Sequence, residues 1–304
     1  MIRPKRVITT LWLLATLCAP VCAATETDYL AVFMDGKKVG YAIHTRAEQG
    51  GEVVTTDDVS ITISRIGIPV TVQMMERSVE TVAGKPLRFE SVQNLGAMVM
   101  KASGTLKADG TVDVVSSSLG MEQKSTIPWP AGALMAEGLR LLTLQHGLKA
   151  GTEYTASLFS PGVMQAVNAK VVIGTKKEID LLGRVLKLTE VVTTISMTDA
   201  GGIATTSYVD DEMRALKSIV PIAGMQVEMV DCPKEFALGK NDVLEMIDRM
   251  FVKSPQSIED MSSISSISYT LNPGKADLLV PTTDSQTAKR LPDGKVALVI
   301  KPAT

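Results

Sequence analysis

The chain has 304 residues, of which 45% are hydrophobic, 21% charged and 4% aromatic, and its formal net charge is −2. This composition is typical of a globular protein and excludes a disordered or collagen-like chain. A mildly acidic chain without basic clusters also lacks the electrostatic footprint of a nucleic-acid-binding protein.

Residues 1–23 have the features of a signal peptide. Arg3, Lys5 and Arg6 precede the apolar run VITTLWLLATLC, which is too short to span a bilayer comfortably. Val21 and Ala23 fit the −3 and −1 positions of a signal-peptidase site, so we expect cleavage after Ala23. No later apolar run reaches membrane-spanning length. The sequence therefore predicts a periplasmic or secreted protein that is not an integral membrane protein.

Cleavage at this site changes the cysteine count and the charge. Of the 3 cysteines, only Cys232 remains, which leaves no intramolecular disulfide in a compartment that would permit one. The loss of three basic residues takes the net charge from −2 to −5.

From Tyr29 onward, the pattern is that of an antiparallel sheet. The runs YLAVFM and VGYAIHTR are separated by DGKK, which is a hairpin signal. In VSITISRIG, apolar and polar residues alternate strictly, as in a half-buried strand. Further runs as far as Ser118 are separated by turn signals every eight to twelve residues or so. The same rhythm resumes between Glu153 and Asp231.

One segment in the middle of the chain predicts a helix of about three or four turns. It is WPAGALMAEGLRLLTLQHGLKAG, with Pro130 near its start and Gly147 as its C-cap. Met135, Leu139, Leu142 and His146 fall at helical spacing and predict an inner stripe. Gly138 weakens the helical pattern.

The pattern changes after Leu238. Val243, Met246, Ile247 and Met250 predict a second helix capped by Asn241 or Asp242, and a serine-rich linker follows. The runs ISYTL, ADLLV and KVALVIK predict a small β element that cannot bury much surface on its own. The expected organisation is a signal peptide (1–23), a β-rich domain (24–238), a helix and linker (239–262) and a small β element (263–304).

The expected fold class is mainly β, or β-rich α+β. We expect a large curved antiparallel sheet or half-barrel with one central helix, followed by a helix and the small C-terminal β element.

Cys232 is the first candidate for chemistry. A cysteine nucleophile needs a nearby base, and the mature chain offers only His44 and His146. Asp231 and Glu235 flank the thiol and disfavour a thiolate, whereas Pro233 can open a short helix that favours one. A buried structural cysteine is the alternative, and we favour it.

Other chemistry has less support. The chain has no HxH, HExxH or CxxC motif for a metal, and no GxSxG or phosphate-binding loop. Asp210, Asp211 and Glu212 lack the spacing of a calcium loop and predict a solvated turn. We therefore expect no cofactor, no metal and no catalytic residue, and a protein that is not an enzyme.

Several segments resemble a group of exported bacterial proteins in which a β-rich N-terminal region precedes a transglutaminase-like domain. They are YLAVFMDGKKVGYAIHT, HGLKAGTEYTASLFSP, SYVDDEMRALKSIVPIAGMQVEMVDCPKEFAL and the C-terminal stretch from ISSISYTL to VIKPA. The resemblance spans nearly all of the mature chain. It implies an accessory region without its enzyme, since no histidine follows Cys232 as the catalytic core would require.

The β-rich pattern with one central helix also resembles the half-barrel of periplasmic lipoprotein carriers, in which a curved sheet exposes an apolar concave face. This resemblance implies a groove for an apolar ligand lined by Met74, Met75, Met98, Met100 and Met135. The alternative is that the central helix fills the groove as core, and we favour it.

Three functions remain open from the sequence. The first is a non-enzymatic exported scaffold or interaction module, whose partner would be an envelope protein. The second is a carrier or sensor of a lipid or other apolar ligand. The third is a cysteine hydrolase that uses Cys232 with His44 or His146.

Overall fold

The computed structural model divides the chain into two units, Met1–Ile247 and Asp248–Thr304. The structure describes residues 24–198, 201–222, 224–245, 263–274 and 280–301. The predicted signal peptide therefore lies outside the described residues, as do most of the second predicted helix and most of the run ADLLV.

A long series of strands builds the first unit. They are β1 (Ala24–Met34), β2 (Lys37–Gln49), β3 (Glu52–Arg65), β4 (Ile68–Thr81), β5 (Pro86–Asn94), β6 (Val99–Leu106), β7 (Thr111–Ser118), β8 (Met121–Pro128), β9 (Ala133–Leu134), β10 (Glu153–Ser160), β11 (Gln165–Leu181), β12 (Arg184–Thr198), β13 (Gly201–Val209), β14 (Ala215–Ile222) and β15 (Met225–Asp231). Two helices lie within the described residues of this unit, α1 (Ala136–His146) and α2 (Lys234–Ala237).

These strands form one 15-stranded sheet, which runs in space from β8 down to β1 and then from β15 down to β9. Almost every neighbour is therefore joined by a hairpin, and the ladders are antiparallel except for the short pair β9–β10. The one long-range ladder pairs β1 with β15, where Leu30 stands opposite Asp231. The predicted fold class, mainly β with a large antiparallel sheet, is confirmed.

The sheet curls into a half-barrel around one of its faces. We call this the inner face; it carries Arg46, Thr55, Ser78 and Phe89, which stand opposite one another in neighbouring strands. Phe89 packs on Phe159, with ring centroids 4.9 Å apart, although their strands lie toward opposite ends of the sheet. Side chains thus join the two arms of the sheet where backbone pairing does not.

The predicted central helix is observed, but it starts later than predicted and buries different residues. It begins at Ala136, and Gly147 caps its end with an N–H that donates to the carbonyl of Thr143. The predicted inner stripe is confirmed in part, because Met135 at the N-cap is buried and Leu139 and Leu142 are half-buried. The buried residues of α1 itself are Glu137, Gly138 and Thr143, while His146 is exposed and stacks on Tyr154.

Two local predictions needed correction. The polar strand β8 has no apolar alternation, because it is an edge strand exposed along nearly all its length, and the sequence pattern missed it. Asn241 and Asp242 do not begin a helix in the described residues. Their side chains instead accept hydrogen bonds from Lys38, at 2.8 Å from Nζ and 3.1 Å from the backbone N.

The second unit contains a small antiparallel sheet. Its strands are β16 (Ile267–Leu271), β17 (Gln286–Arg290) and β18 (Val296–Ile300), and β18 lies in the middle. Val296 and Leu298 are its buried apolar residues.

Candidate ligand-binding cleft on the inner face

A buried carboxylate fixes the start of α1 on the inner face. Glu80, in β4, is fully buried, and its two carboxylate oxygens accept hydrogen bonds from the backbone N–H groups of Glu137 and Gly138 at 2.7 and 2.8 Å. These N–H groups have no partner within the helix, and the positive end of the helix dipole favours a negative charge there. Burial raises the pKa of Glu80, and the two backbone hydrogen bonds oppose that effect.

A second buried carboxylate ties the helix to β2. Glu137 accepts paired hydrogen bonds from Arg46, both at 3.0 Å, and from Arg140 at 2.7 and 2.9 Å. Burial alone would raise the pKa of Glu137, but the two guanidinium groups lower it to about 2. A buried charge held by two bidentate partners is one of the few forms in which burial is tolerated.

Gly138 is required at this position because the backbone of another turn comes very close. A Cβ added to Gly138 would lie 2.9 Å from the carbonyl oxygen of Gly84 and 3.3 Å from a carboxylate oxygen of Glu80. The glycine that weakened the helix prediction is therefore the residue that lets α1 seat against the β4–β5 turn.

Between this anchored helix and the sheet lies a cleft of about 190 Å³. Its apolar walls come from the start of α1 and the end of β10, and they are Leu134, Met135, Leu139, Leu158, Phe159 and Pro161. Its polar side is formed by Thr55 and Asp57 of β3 and by Glu76, Arg77 and Ser78 of β4. The cleft is smaller than the roughly 300–1,000 Å³ of a drug-sized site, so it suits a small group or one end of a longer molecule.

The polar side of the cleft belongs to a row of titratable residues that crosses the inner face. Asp28, His44, Asp57 and Glu76 stand opposite one another in β1 to β4. His44 Nδ1 lies 2.7 Å from an Asp57 oxygen, and this hydrogen bond raises the pKa of His44. Burial raises the pKa of Glu76, while the N–H of Gly162, which donates to it at 3.2 Å, has the opposite effect. With one histidine to three carboxylates, the row favours a cationic or hydrogen-bond-donating group.

Apolar residues continue the inner face beyond the acidic row. One register step along the strands, Val59 stands opposite Met74, and the next inner pair is Ile61 with Val72. Met74 is 39% exposed and Val72 is half-buried, whereas Val59 and Ile61 pack against a buried apolar cluster that includes Leu30, Ala42 and Leu244. A molecule with a polar end in the cleft can therefore extend along apolar surface.

The five methionines predicted to line a groove do not all lie together. Met74 and Met100 share the inner face, where Gln93 stands between them, and Met135 is buried in the cleft wall. Met75, next to Met74 in the same strand, faces the outer side. Met98 lies in the β5–β6 turn, where its carbonyl accepts a hydrogen bond from Leu95.

Cys232 lies on the opposite face from the two histidines. It is 9% exposed, packs with Ala31 and Ala237 beneath α2, and its backbone N–H donates to the carbonyl of Tyr29. Burial raises the pKa of its thiol. The structure places His44 on the inner face and His146 on α1, so it brings neither imidazole to the thiol.

Metal sites and membrane helices are equally absent from what the structure describes. The described residues include no cluster of three or more His, Cys, Asp or Glu side chains suited to a metal ion. Asp210 is engaged in its own turn, where it accepts hydrogen bonds from the N–H of Glu212 and from Arg214. Over the described ranges, no helix has the length and apolar character needed to cross a membrane.

Sequence reasoning missed the acidic residues that organise the cleft. On β4 the inner positions read Val70, Val72, Met74, Glu76, Ser78 and Glu80. The sequence did contain a clue, because Glu76 and Glu80 occupy the same strand face as the apolar residues Val70, Val72 and Met74. Their partners are distant in sequence, and only the fold brings Arg46, Glu80 and Glu137 together.

Comparison with known proteins gives little beyond this chain's own geometry. No protein-family model and no curated relative matches the chain. Among solved structures, it is similar to the crystal structure of a beta-barrel-like protein of the domain of unknown function DUF1849 from Brucella abortus, with 10% identity and a TM-score of 0.49. The similarity covers 68% of this chain and 94% of that one. At this level we infer neither fold nor function from the likeness, and the β-rich half-barrel rests on the strands and packing described above.

Proposed function

We propose that the protein is a non-enzymatic, exported carrier or sensor of an amphiphilic ligand. The observation that supports this function best is the open part of the inner face, where paired carboxylates lie beside partly exposed apolar residues. The polar end of the ligand would lie against Asp57 and Glu76, and its apolar part would follow Val59 and Met74. Alkyl amines or similar cationic amphiphiles fit this charge pattern better than fatty acids.

Export is part of the proposal and rests on the signal-peptide features of residues 1–23. A carrier with this charge pattern would meet amphiphiles in the periplasm or outside the cell. Neither histidine of the described residues lies beside Cys232, which supports the non-enzymatic part of the proposal.

A direct experiment is native mass spectrometry of the protein purified from its own envelope fraction, followed by titration with dodecylamine and with dodecanoate. We expect a dissociable adduct on the native protein, and tighter binding of the amine than of the carboxylate at neutral pH. No adduct together with no binding of either compound would exclude the carrier function.

Two neighbouring methionines provide a matched control. Met74→Lys places a positive charge beside the acidic row on the inner face, where it would repel an amine, whereas Met75→Lys makes the same change on the outer face of the same strand. We expect the first variant to lose dodecylamine binding at least tenfold and the second to retain it. Equal effects of both variants would place the ligand elsewhere.

A second candidate function is an accessory module that works beside a transglutaminase-like enzyme. It is favoured by the three-stranded sheet of residues 267–300, because the resemblance places a small β element ahead of the catalytic core. Chemical crosslinking in the envelope fraction tests it. Recovery of a transglutaminase-like enzyme, with no retained ligand on the purified chain, would favour this function over the carrier.

A further inference from the structure

Hairpin turns at one end of the half-barrel carry exposed apolar side chains. In a sheet made of consecutive hairpins, alternate turns lie at the same end, and this end holds the turns β1–β2, β3–β4, β5–β6 and β7–β8 together with β10–β11, β12–β13 and β14–β15. Exposed apolar residues lie in or next to six of these seven turns, and we call them the apolar rim: Ile66, Leu95, Leu119, Val163, Ile203 and Ile222. Ile68 and Met121 are also exposed there, at 65% and 71%.

The turns at the other end of the sheet differ in character. They are built from residues such as Gln49-Gly50-Gly51 between β2 and β3, and Asp109-Gly110 between β6 and β7. Exposed apolar residues occur there at only the β4–β5 and β11–β12 turns, as Val82, Leu182 and Val185. The asymmetry between the ends is therefore a property of the fold and not a general excess of surface apolar residues.

Two rim positions also have an uncommon backbone conformation. Ile66-Gly67 and Leu119-Gly120 are two-residue hairpin loops in which all four φ angles are positive, from 52° to 79°. This turn type favours Asn or Asp before the glycine, as Asp35-Gly36 shows in the same sheet. A β-branched isoleucine in the left-handed region is an outlier that the local fold disfavours. Leu182-Gly183, at the other end of the sheet, has the same turn type, so the rim is distinguished by the number of exposed apolar side chains at its end and not by backbone conformation.

The β3–β4 tip is also held in place. The carboxylate of Glu245 accepts hydrogen bonds from the backbone N–H groups of Ile66 and Gly67 at 2.9 and 3.0 Å, and from the Ser64 hydroxyl at 2.7 Å. Ile66, which is 75% exposed, is thus presented to solvent by a fixed turn.

We propose that the apolar rim docks the protein on the surface of a lipid bilayer. Single apolar residues on several separate hairpins suit a planar, fluid apolar phase, into which each side chain can insert independently. A protein partner would more usually be met by one contiguous patch with a buried centre. The rim is also continuous with the apolar part of the inner face, because Ile63 and Val70 lead from Ile61 and Val72 to the β3–β4 turn. In this last respect the inference rests on the proposed carrier function, since the ligand would enter where the groove meets the membrane.

The test is co-sedimentation of the mature chain with vesicles of phosphatidylcholine alone and with vesicles containing one third phosphatidylglycerol. The double variant Ile66→Asn, Leu119→Asn removes two rim side chains and supplies the residue that each turn prefers. We expect its melting temperature to rise and its vesicle binding to fall at least tenfold. Loss of binding with a raised melting temperature cannot be attributed to misfolding.

Leu182→Asn is the matched control. Leu182-Gly183 is the same turn type, with φ angles of 58° and 93°, but it lies at the other end of its strands. We expect this variant to gain stability while it keeps wild-type vesicle binding. Wild-type protein that stays in the supernatant with both kinds of vesicle would overturn the proposal, and so would equal losses in the rim and control variants. Self-association in light scattering that disappears in the rim variant, without vesicle binding, would assign the rim to a second copy and also overturn it.

The two proposals can fail separately. The rim variant should still bind dodecylamine, and Met74→Lys should still sediment with vesicles. Vesicle binding without amine binding would leave the rim intact as a docking surface and remove the carrier function.

Discussion

Glu80 accepts a hydrogen bond from the backbone N–H of Glu137 at 2.7 Å, although both side chains are acidic and both are buried. The two carboxylates remain compatible because each has a different source of positive charge. Glu80 faces the amino end of α1, while Glu137 turns toward Arg46 and Arg140. This pair of anchors decides where the helix lies on the sheet, and therefore where the cleft opens.

Replacing the cap should weaken the fold. Glu80→Gln keeps the shape of the side chain but removes the charge and one acceptor from the start of α1. We expect a loss of about 1–3 kcal/mol in the free energy of unfolding, measured by urea denaturation. Glu90→Gln is the control, because Glu90 is exposed and lies 3.9 Å from its nearest charged partner, Arg77. A cap variant as stable as this control would show that the N–H groups find other acceptors.

Glu137 should make stability depend on acid pH. Its folded-state pKa is about 2, below its ordinary value of 4.5, so its contribution is present above pH 4.5 and is lost as the pH falls toward 2. The shift corresponds to roughly 3 kcal/mol. Glu80 contributes to stability with the opposite pH dependence. Because its pKa is raised, protonation of Glu80 at lower pH favours the folded state and offsets part of the stability that Glu137 loses.

The measurement is the free energy of unfolding between pH 2 and pH 6, for the wild type and for Glu137→Gln. We expect the variant to be less stable at pH 6 and to show a flatter decline below pH 4.5. A wild-type curve with the same slope as the variant would mean that Glu137 is not the group responsible.

Gly138→Ala should destabilise the protein, although alanine is the better helix former. In an exposed helix this change would gain about 1 kcal/mol. Here the new Cβ would lie 2.9 Å from the carbonyl oxygen of Gly84, so the helix must move away from the β4–β5 turn. The melting temperatures of this variant and of Ala136→Gly should both fall. The first falls because of the steric conflict, and the second because glycine has a lower helix propensity than alanine. A rise in melting temperature for Gly138→Ala would contradict the close contact.

Binding of a cationic amphiphile should weaken as the pH falls. Burial raises the pKa of Glu76, so this carboxylate loses its charge at a higher pH than an exposed one, and the attraction for an amine falls with it. Calorimetric titration with dodecylamine from pH 8 to pH 4 measures the effect. Glu76→Gln should bind more weakly at pH 8 and show a flatter pH profile. A profile unchanged by this substitution would remove Glu76 from the site.

The Cys232 thiol should react slowly with alkylating reagents in the folded protein. It is 9% exposed, and burial raises its pKa, so little reactive thiolate is available at neutral pH. Mass spectrometry after treatment with iodoacetamide, with and without denaturant, gives the ratio of rates. Rapid alkylation of the native chain would reopen the hydrolase hypothesis.

The sequence pattern predicted the sheet because its signals are local. Alternation in VSITISRIG and the Asp35-Gly36 loop each specify a strand or turn within a few residues, and the structure has both. The α1 interior could not be predicted in the same way. Glu137 is an unlikely core residue until Arg46 is placed beside it, and Gly138 weakens a helix until Gly84 is placed against it. Of the apolar residues predicted to face inward, Met135 is buried, whereas Leu139 and Leu142 are half-buried.

The candidate site was predicted only in part, because most of its residues are brought together by strand pairing and not by a local sequence pattern. Met74 and Met100 lie on the inner face, as a shared groove requires, but the period of a strand places Met75 on the other side. The acidic row of Asp28, His44, Asp57 and Glu76 depends on the register of four strands, and register is a property of pairings that no single run of sequence reveals.

The order of the strands also implies an order of assembly. Every ladder from β2 to β8 and from β10 to β15 joins neighbours along the chain, so each arm can form by successive hairpins with short loops to close. The β1–β15 ladder differs because its paired residues are far apart in the sequence. Leu30 pairs with Asp231, which lies near the end of the first unit, so a long loop must close before this ladder forms. Until then β1 exposes an unpaired edge. The strand order therefore predicts that pairing of β1 with β15 is the slow, last step of folding, with residues 225–231 as the strand that joins the two arms.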